Sequence, residues 1–208
     1  MRHSTVDFVG SAASPDQFPR DGRPEVAFLG RSNVGKSRLL NALAGQRGLA
    51  RVSAEPGRTR LVNFFRVAGA AGAASRWDLY LVDLPGYGYA KAPKAEREGW
   101  ERLVTGYLVG RPSLALCVFL VDARHEASEG DETLRAFLDH YGTPYVLAAT
   151  KADKLGRGEL KHRSRELSRG VGRNARAVIA VSATEGTGID ELWRTIVEAA
   201  VGAPAMRN

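Results

Sequence analysis

The chain has 208 residues, 44% of them hydrophobic, and a formal net charge of +7. This length favours one domain, and the longest apolar run, Leu114–Val121, is too short to span a bilayer. The first residues lack the apolar stretch of a secretory signal, and a single cysteine, Cys117, excludes an intrachain disulfide. We therefore expect a cytoplasmic globular protein with no membrane segment, in which Cys117 is a core residue.

Six apolar runs have the character of β-strands, and five helix-like stretches alternate with most of them. The predicted strands are Glu25–Gly30, Leu61–Val67, Trp77–Asp83, Leu114–Asp122, Tyr145–Thr150 and Ala177–Ser182. The predicted helices are Lys36–Leu43, Ala95–Leu108, Asp131–Tyr141, Glu159–Ser168 and Ile189–Val201. This alternation predicts an α/β fold whose six-stranded, mostly parallel sheet is covered by helices on both faces.

One connection departs from the parallel pattern. Only the small-residue loop Ala68–Arg76 separates the second predicted strand from the third. A parallel crossover needs a dozen or more residues, so these two strands should form an antiparallel hairpin. The sheet should then contain one antiparallel strand. Before the first predicted strand, Ser14-Pro15 favours a short helical turn.

A phosphate-binding loop follows the first predicted strand and opens the first predicted helix. Its residues match G-x-x-x-x-G-K-[ST] in full: Gly30, Arg31, Ser32, Asn33, Val34, Gly35, Lys36 and Ser37. In such a loop backbone N–H groups converge on phosphate oxygens at a helix N-terminus. We expect Lys36 to reach the β- and γ-phosphates and the Ser37 hydroxyl to bind Mg²⁺.

A second motif, D-x-x-G, ends the third predicted strand with Asp83, Leu84, Pro85 and Gly86. Open α/β sheets bind ligands at the carboxyl ends of their strands. Asp83 is therefore expected to hold Mg²⁺ through water, and the Gly86 N–H to meet the γ-phosphate. The motif by itself is often a plain turn, and it gains weight from the phosphate loop before it.

The segment before the second predicted strand is a candidate γ-phosphate sensor. Its candidate nucleotide-binding residues are Gly57, Arg58, Thr59, Arg60 and Leu61. GTPases place there a threonine that binds Mg²⁺ and the γ-phosphate only in the triphosphate state, and Thr59 is the candidate. The Pro56-Gly57 pair is equally typical of a simple turn.

The ends of the fifth and sixth predicted strands indicate guanine rather than adenine. Thr150, Lys151, Ala152 and Asp153 fit the motif [NT]-K-x-D. The Asp153 carboxylate would accept hydrogen bonds from N1–H and the exocyclic amine of guanine, donors that adenine does not offer there. The Lys151 stem can lie over the base. At the end of the last predicted strand the candidate base contacts are Val181, Ser182 and Ala183.

With these motifs in place, the chain resembles the EngB/YsxC/YihA family of bacterial ribosome-biogenesis GTPases. The similarity runs from about Phe8 to Leu192, and its most specific pieces are Gly30–Ser37, Pro56–Phe65 and Asp83–Ala90. The resemblance implies a Ras-like, three-layer P-loop GTPase fold, with residues 24–203 as the GTPase domain, 1–23 as an N-terminal extension and 204–208 as a tail. It also implies GTP hydrolysis to GDP, assistance to large ribosomal subunit assembly and a role in cell division and septation.

The chain departs from the pattern of these proteins in a few places. Glu55 stands where a small or hydroxyl residue is expected, and Arg60 where glutamine is usual, but neither change removes a predicted ligand. Tyr87 follows D-x-x-G, where many GTPases have a water-orienting glutamine, so the catalytic residue is unknown and hydrolysis should be slow. In some related GTPases an asparagine at the position of Asn33 helps to bind K⁺, and the alternative is that Asn33 only caps the loop.

Two further questions stay open at this point. Three functions compete: a GTPase switch, a nucleotide-gated binding module with negligible turnover, and a membrane-associated GTPase. The sequence has no membrane or lipidation signal, which disfavours the third. The stretch 154–176 carries eight Lys and Arg residues against two Glu residues, a net +6. Its cations could bind ribosomal RNA, or they could be a solvated surface of an arginine-rich protein. We expect the protein to be a monomer.

Overall fold

The computed structural model describes residues 2–46, 48–50, 61–70, 76–87 and 94–202. Its strands are β1 (Arg2–Ala12), β2 (Glu25–Gly30), β3 (Val62–Ala70), β4 (Arg76–Asp83), β5 (Leu114–Asp122), β6 (Tyr145–Thr150) and β7 (Ala175–Ala180). Its helices are α1 (Lys36–Ala44), α2 (Lys94–Gly110), α3 (Glu129–His140), α4 (Arg157–Gly170) and α5 (Ile189–Gly202). Short 3-10 helices lie at Pro15–Gln17, as Ser14-Pro15 predicts, and at Ala152–Lys154.

The strands form one seven-stranded sheet in the order β1-β3-β4-β2-β5-β6-β7. Strand β3 is antiparallel to both of its neighbours, and the pairings from β4 to β7 are all parallel. The predicted hairpin is confirmed, with Ala70 opposite Arg76 at the last described pair. Within the described residues β3 is thus the one strand that opposes the rest.

The predicted count of six strands was one too low, because β1 was not recognised. This edge strand buries Val6 but leaves Phe8 and Val9 exposed, so its apolar residues do not alternate regularly. Register shifts between His3 and Thr5 and between Phe8 and Gly10 explain the irregular pattern, since each one changes which face the next side chain meets. Pairing with β3, rather than its own composition, makes this segment a strand.

Helices cover the sheet on both faces and create two hydrophobic clusters. Along β2, Val26 and Phe28 belong to the cluster that α1 and α5 cover, and Ala27 and Leu29 to the cluster that α2, α3 and α4 cover. This alternation is the period-2 pattern of a strand buried on both faces. Cys117 lies in the second cluster, and burial raises the pKa of its thiol, so it is a core residue as expected.

Among the described residues, none of the helices combines the length and the apolar character that a bilayer crossing requires. The loops that carry the sequence motifs follow β2, β4, β6 and β7. Because these strands are parallel, all four loops emerge at the carboxyl edge of the sheet. The fold therefore brings the phosphate-loop, D-x-x-G and T-K-x-D residues to one edge.

Candidate functional site

The phosphate loop joins the buried strand β2 to the first turn of α1. Gly35 is the N-cap of α1 and has a φ of 105°, a conformation that glycine adopts without strain. Asn33 has a φ of 64°, and asparagine tolerates this left-handed region better than most side chains. These two positions turn the chain so that the N-terminus of α1 faces the carboxyl edge of the sheet, where a phosphate would bind.

Two residues predicted for different parts of the ligand contact each other in this structure. The Nζ of Lys36 donates a hydrogen bond to the carboxylate of Asp83, and both side chains are largely buried. Ser37 lies one residue further into α1, in its first turn. The structure therefore pairs a cation with a carboxylate, and the hydroxyl-bearing Ser37 is the next residue of the helix. A cation is already accommodated beside Asp83, and hydroxyl and carboxylate oxygens are ligands that Mg²⁺ prefers.

Tyr87 joins the D-x-x-G segment to the phosphate loop through its backbone. Its carbonyl accepts hydrogen bonds from the backbone N–H of Ser32 at 3.0 Å and from the Ser32 hydroxyl at 3.2 Å. Its own N–H lies 3.3 Å from the carbonyl oxygen of Gly30. A side chain at Gly86 would place its Cβ 3.2 Å from the same carbonyl, so the close approach of the two segments favours glycine there.

The side chain of Tyr87 points toward helix α3. Its hydroxyl donates a hydrogen bond to the Asp131 carboxylate, and burial together with this bond raises the pKa of the phenol. Asp131 also accepts from the backbone N–H of Ser128 at 2.8 Å and completes the capping box of α3. The sequence marked Tyr87 only as the residue in place of the usual glutamine, and the structure shows that it anchors the end of the D-x-x-G segment to α3.

Thr150 and Lys151 connect the end of β6 with the phosphate loop. The Thr150 hydroxyl is buried and lies 2.7 Å from the carbonyl oxygen of Val34 and 3.0 Å from that of Val121. The Nζ of Lys151 lies 3.0 Å from the carbonyl oxygen of Asn33. The T-K-x-D motif therefore supports the phosphate loop in addition to its predicted contact with the base.

Asp153 faces the turn that follows β7. Its carboxylate accepts a hydrogen bond from the Ser182 hydroxyl at 2.8 Å, and Lys154 lies 3.1 Å from its other oxygen. The hydrogen bond from Ser182 is the main cause that lowers the pKa of Asp153, so the group is a carboxylate at neutral pH. The Ser182 hydroxyl in turn accepts from the backbone N–H groups of Thr184 and Glu185, which fixes the turn.

Strand β7 ends two residues earlier than predicted, at Ala180, so Ser182 and Ala183 lie in the loop beyond it. Val181 is still held in line with the sheet, because its N–H lies 2.8 Å from the Ala149 carbonyl oxygen and its own carbonyl accepts from Ala152. The last three candidate base contacts thus lie directly beside the T-K-x-D motif. The predicted strand wrongly included Val181 and Ser182, and the role of the three residues as base contacts stays a prediction.

The candidate γ-phosphate sensor falls mostly outside the described residues. Gly57, Arg58, Thr59 and Arg60 belong to that part of the chain, and their predicted roles stay predictions. Leu61 is described and lies, exposed, one residue before β3. Of the three predicted Mg²⁺ ligands, Ser37 and Asp83 therefore belong to the described residues, and Thr59 does not.

A cavity of about 210 Å³ lies beside the phosphate loop. It is bounded by Arg31–Val34, by the end of β5 and the loop after it, and by Asp131 and Lys151. One of its walls is Asp122, the last residue of β5, which no sequence motif had marked. Its carboxylate accepts a hydrogen bond from Lys151 at 2.8 Å. In the sequence, the signal that could have marked Asp122 is a carboxylate at the end of an apolar strand.

Comparisons with known proteins agree on the type of protein. Residues 25–151 match the family model described as "50S ribosome-binding GTPase". The chain is 45% identical over 196 residues to a probable GTP-binding protein EngB from Chlorobaculum tepidum, covering 94% of this chain and 97% of that protein. It is 50% identical over 161 residues to a protein of the same name from Clostridium beijerinckii, covering 77% of each.

Solved structures support the same fold. A crystal structure of a probable GTP-binding protein EngB aligns with a TM-score of 0.63 and 24% identity, covering 85% of this chain and 98% of that one. A structure of Era in complex with MgGDPNP and nucleotides 1506–1542 of 16S ribosomal RNA aligns with a TM-score of 0.66 and 25% identity. It covers 86% of this chain and 57% of Era. The fold is that of a P-loop GTPase.

Proposed function

We propose a role for this protein on one established premise: the chain belongs to the EngB family of GTP-binding proteins, which is a GTPase family. The protein acts as a switch that binds GTP with Mg²⁺, hydrolyses it to GDP and assists the assembly of the large ribosomal subunit in the cytoplasm. The observation that carries this proposal is that Lys36, Asp83 and Asp153 all lie at the edge of the sheet where the parallel strands β2, β4 and β6 end.

The phosphate side of the site would hold the charged part of the ligand. Lys36 and the N-terminal N–H groups of α1 bind the phosphates, while Ser37, Thr59 and Asp83 hold Mg²⁺, with Asp83 acting through water. The metal neutralises charge on the phosphate oxygens when it is bound. Thr59 depends on the γ-phosphate, so Thr59→Ala should weaken GTP binding and spare GDP binding.

The base side would select guanine. The ionised Asp153 accepts hydrogen bonds from the two guanine donors, and Ser182 keeps the carboxylate in place. Backbone N–H groups of the loop at Ala183 complete the recognition of the base, and the stem of Lys151 lies over its face. This arrangement rejects adenine, because the carboxylate would be left without a donor.

The group that orients the attacking water is not marked by the sequence, since Tyr87 replaces the usual glutamine. Because its hydroxyl donates to Asp131, Tyr87 is not a general base in this structure. We propose that intrinsic hydrolysis is slow and is stimulated by a ribosomal partner or by K⁺ near Asn33. The left-handed backbone of Asn33 supplies a separate reason for an asparagine at this position, so the K⁺ role needs its own test.

The experiment that tests the enzyme is single-turnover GTP hydrolysis, measured with and without large ribosomal subunits and in K⁺ or Na⁺. We expect slow release of phosphate that the subunits or K⁺ accelerate. Asn33→Gly is the matched variant, because glycine keeps the backbone conformation and removes the side chain. Nucleotide binding without hydrolysis under all conditions would instead identify a nucleotide-gated binding module.

The proposed ribosomal role is supported by the description of the matching family and by the RNA complex of Era. We expect the protein to sediment with large subunits in a nucleotide-dependent way on sucrose gradients. The family resemblance further implies a role in cell division and septation, and depletion in cells should then delay septation as subunit precursors accumulate. Sedimentation that does not change between GTP, GDP and no nucleotide would contradict a switch.

Helix α4 carries the surface that we propose for RNA. A row of exposed cations on this helix, called here the basic stripe, comprises Arg157, Lys161, Arg165 and Arg169. The stripe lines an open groove of about 680 Å³ beside the end of β7, the edge strand of the sheet. Within the described residues no member of the stripe forms an ion pair, so its charges are available to a phosphate backbone.

The opposite side of α4 differs from the stripe. Arg163 is largely buried, pairs with Glu166 at 2.7 Å and donates a hydrogen bond to the carbonyl oxygen of His125. The Lys and Arg residues of α4 are thus divided between Arg163, which fastens the helix to the body of the domain, and the basic stripe, which faces solvent. The available row, and not the whole net charge of 154–176, is the part that would bind RNA.

The RNA contact is tested by changing Lys161, Arg165 and Arg169 to Gln and measuring ribosome binding across a salt series. We expect weaker binding and a salt slope lower by about 0.7 to 0.9 for each phosphate that the variant no longer neutralises. The control changes three exposed arginines on other helices, Arg38, Arg102 and Arg194, to Gln. If both triple variants bind nucleotide and match the parent in affinity and salt slope, α4 is not the RNA contact.

A further inference from the structure

The carboxylate of Asp122 is held by two cations at the end of β5. Arg124 donates from its backbone N–H at 3.1 Å and from its guanidinium at 2.8 and 3.0 Å. Lys151 donates from Nζ at 2.8 Å. The side chain is 12% exposed, so this ion pair is more shielded from water than a surface pair.

Asp122 stays ionised in this place. Burial by itself would raise the pKa of the carboxyl group, but the hydrogen bonds from Arg124 and Lys151 outweigh burial and lower it below the ordinary value. The surrounding backbone is fixed as well, since the N–H of Ala123 lies 3.0 Å from the Thr150 carbonyl oxygen. A rigid, permanently charged acceptor therefore lies beside the T-K-x-D loop.

Lys151 links this acceptor to the phosphate loop. Its Nζ donates both to Asp122 and to the carbonyl oxygen of Asn33, 3.0 Å away. Its backbone has a φ of 59°, which aims the side chain back across the carboxyl edge of the sheet. A free lysine loses much rotamer entropy when it is ordered, and here the protein has ordered it through contacts at the ammonium end.

We propose that Asp122 is a positioning residue for guanine-nucleotide binding: it fixes the ammonium group of Lys151 against the phosphate loop, so that the aliphatic stem of Lys151 is held where the base binds. This inference rests on the proposed guanine-nucleotide function. Asp122 touches no nucleotide atom in this role and acts through Lys151. Preorganisation of the lysine lowers the entropy cost of binding and so lowers the dissociation constant.

A purely structural role for Asp122 predicts something different. The carboxylate could serve only to satisfy Arg124 and to close the turn after β5. In that case removal of the charge would lower the free energy of unfolding but would leave the contribution of Lys151 to nucleotide binding unchanged. The two roles therefore separate in a double-mutant cycle between Asp122 and Lys151.

The experiment measures the dissociation constant of a fluorescent GDP analogue for Asp122→Asn, Lys151→Ala and the double variant, with nucleotide-free melting temperatures alongside. Removal of a hydrogen bond to a charged group should raise the dissociation constant of Asp122→Asn about tenfold. In the double variant the combined effect should be clearly smaller than the product of the two single effects. Glu132→Gln, which removes an exposed ion pair on α3, is the control, with an effect below twofold.

The outcomes are distinct. A parent protein that is folded but binds no guanine nucleotide overturns the proposed function and this inference with it. A parent that binds, with an effect in the double variant equal to the product, overturns the inference alone, as does an unchanged affinity in Asp122→Asn. Should Asp122→Asn fail to fold, Asp122→Glu keeps the charge and displaces the carboxylate, and the same cycle with Lys151→Ala decides.

Discussion

The candidate site has a base half, with Lys151, Asp153 and Ser182, and a phosphate half, with Lys36 and Asp83. The two halves differ in what their charged side chains contact. On the base half, Asp153 accepts a hydrogen bond from the hydroxyl of Ser182, another candidate base contact, and Lys151 donates one to Asp122. In the described part of the chain, neither Asp153 nor Lys151 forms an ion pair with another residue assigned to the ligand. On the phosphate half, Lys36 contacts Asp83, so two groups assigned to the ligand are engaged with each other. We therefore expect the base half to need little rearrangement. On the phosphate half, we expect the proposed binding of Mg²⁺ and phosphate to break the Lys36–Asp83 ion pair.

This difference indicates where a nucleotide-dependent change would begin. Asp83 ends β4 and is followed within four residues by Tyr87, which is bonded to the phosphate loop and to α3. A change at the Lys36–Asp83 pair is therefore close to the residues that connect D-x-x-G with α3. We expect the base half to stay nearly fixed through the cycle, and the segment after β4 to carry the change.

The largest effect should come from breaking the phosphate half with Lys36→Ala. This variant removes the ammonium group that compensates phosphate charge and leaves the Asp83 carboxylate without its present partner. We expect GTP and GDP affinity to fall about 100-fold or more, measured by calorimetry with Mg²⁺. Arg38→Ala, an exposed cation two residues along α1, is the control and should bind as the parent does. Comparable affinities in the two variants would contradict the assigned role of Lys36.

A smaller but more selective effect is expected on the base half from Asp153→Asn. The amide presents a donor where the carboxylate accepted, so guanine affinity should fall by about two orders of magnitude and xanthine nucleotides should gain. Competition between GDP and XDP against a fluorescent analogue measures the change. Glu185→Gln, an exposed acid nearby, serves as control. Undiminished GTP affinity in Asp153→Asn would show that the base binds elsewhere.

The smallest effect should follow from Tyr87→Phe, which removes the hydrogen bond between the D-x-x-G segment and Asp131 of α3. Because the phenol bonds to Asp131 and not to the reaction site, single-turnover hydrolysis should be nearly unchanged. The free energy of unfolding, measured in urea, should fall by about 1 kcal/mol because one hydrogen bond is removed. A drop of tenfold or more in the hydrolysis rate at unchanged stability would instead make Tyr87 a catalytic residue.

The central strands of the sheet were predictable because burial on both faces gives them continuous apolar runs. Strands β2, β5 and β6 have the predicted bounds, and the short hairpin loop correctly indicated the one antiparallel strand. Strand β1 was not predictable, since two register shifts disturb its alternation and β3 supplies the hydrogen bonds that define it. The end of β7 was placed two residues too late, because Val181 continues the apolar pattern beyond the last pairing and remains hydrogen-bonded to Ala149.

The sequence alone predicted which residues carry the proposed nucleotide chemistry, because phosphate, magnesium and guanine each demand particular side chains at fixed spacing. It also predicted that these residues lie at one edge of the sheet, since parallel strands end at a common edge. The tertiary structure decided which partners hold them. Tyr87 with Asp131 and Lys151 with Asp122 are 44 and 29 residues apart, and no local pattern encodes a contact over such a distance. Only the packing of α3 and β5 beside the motif loops creates these contacts.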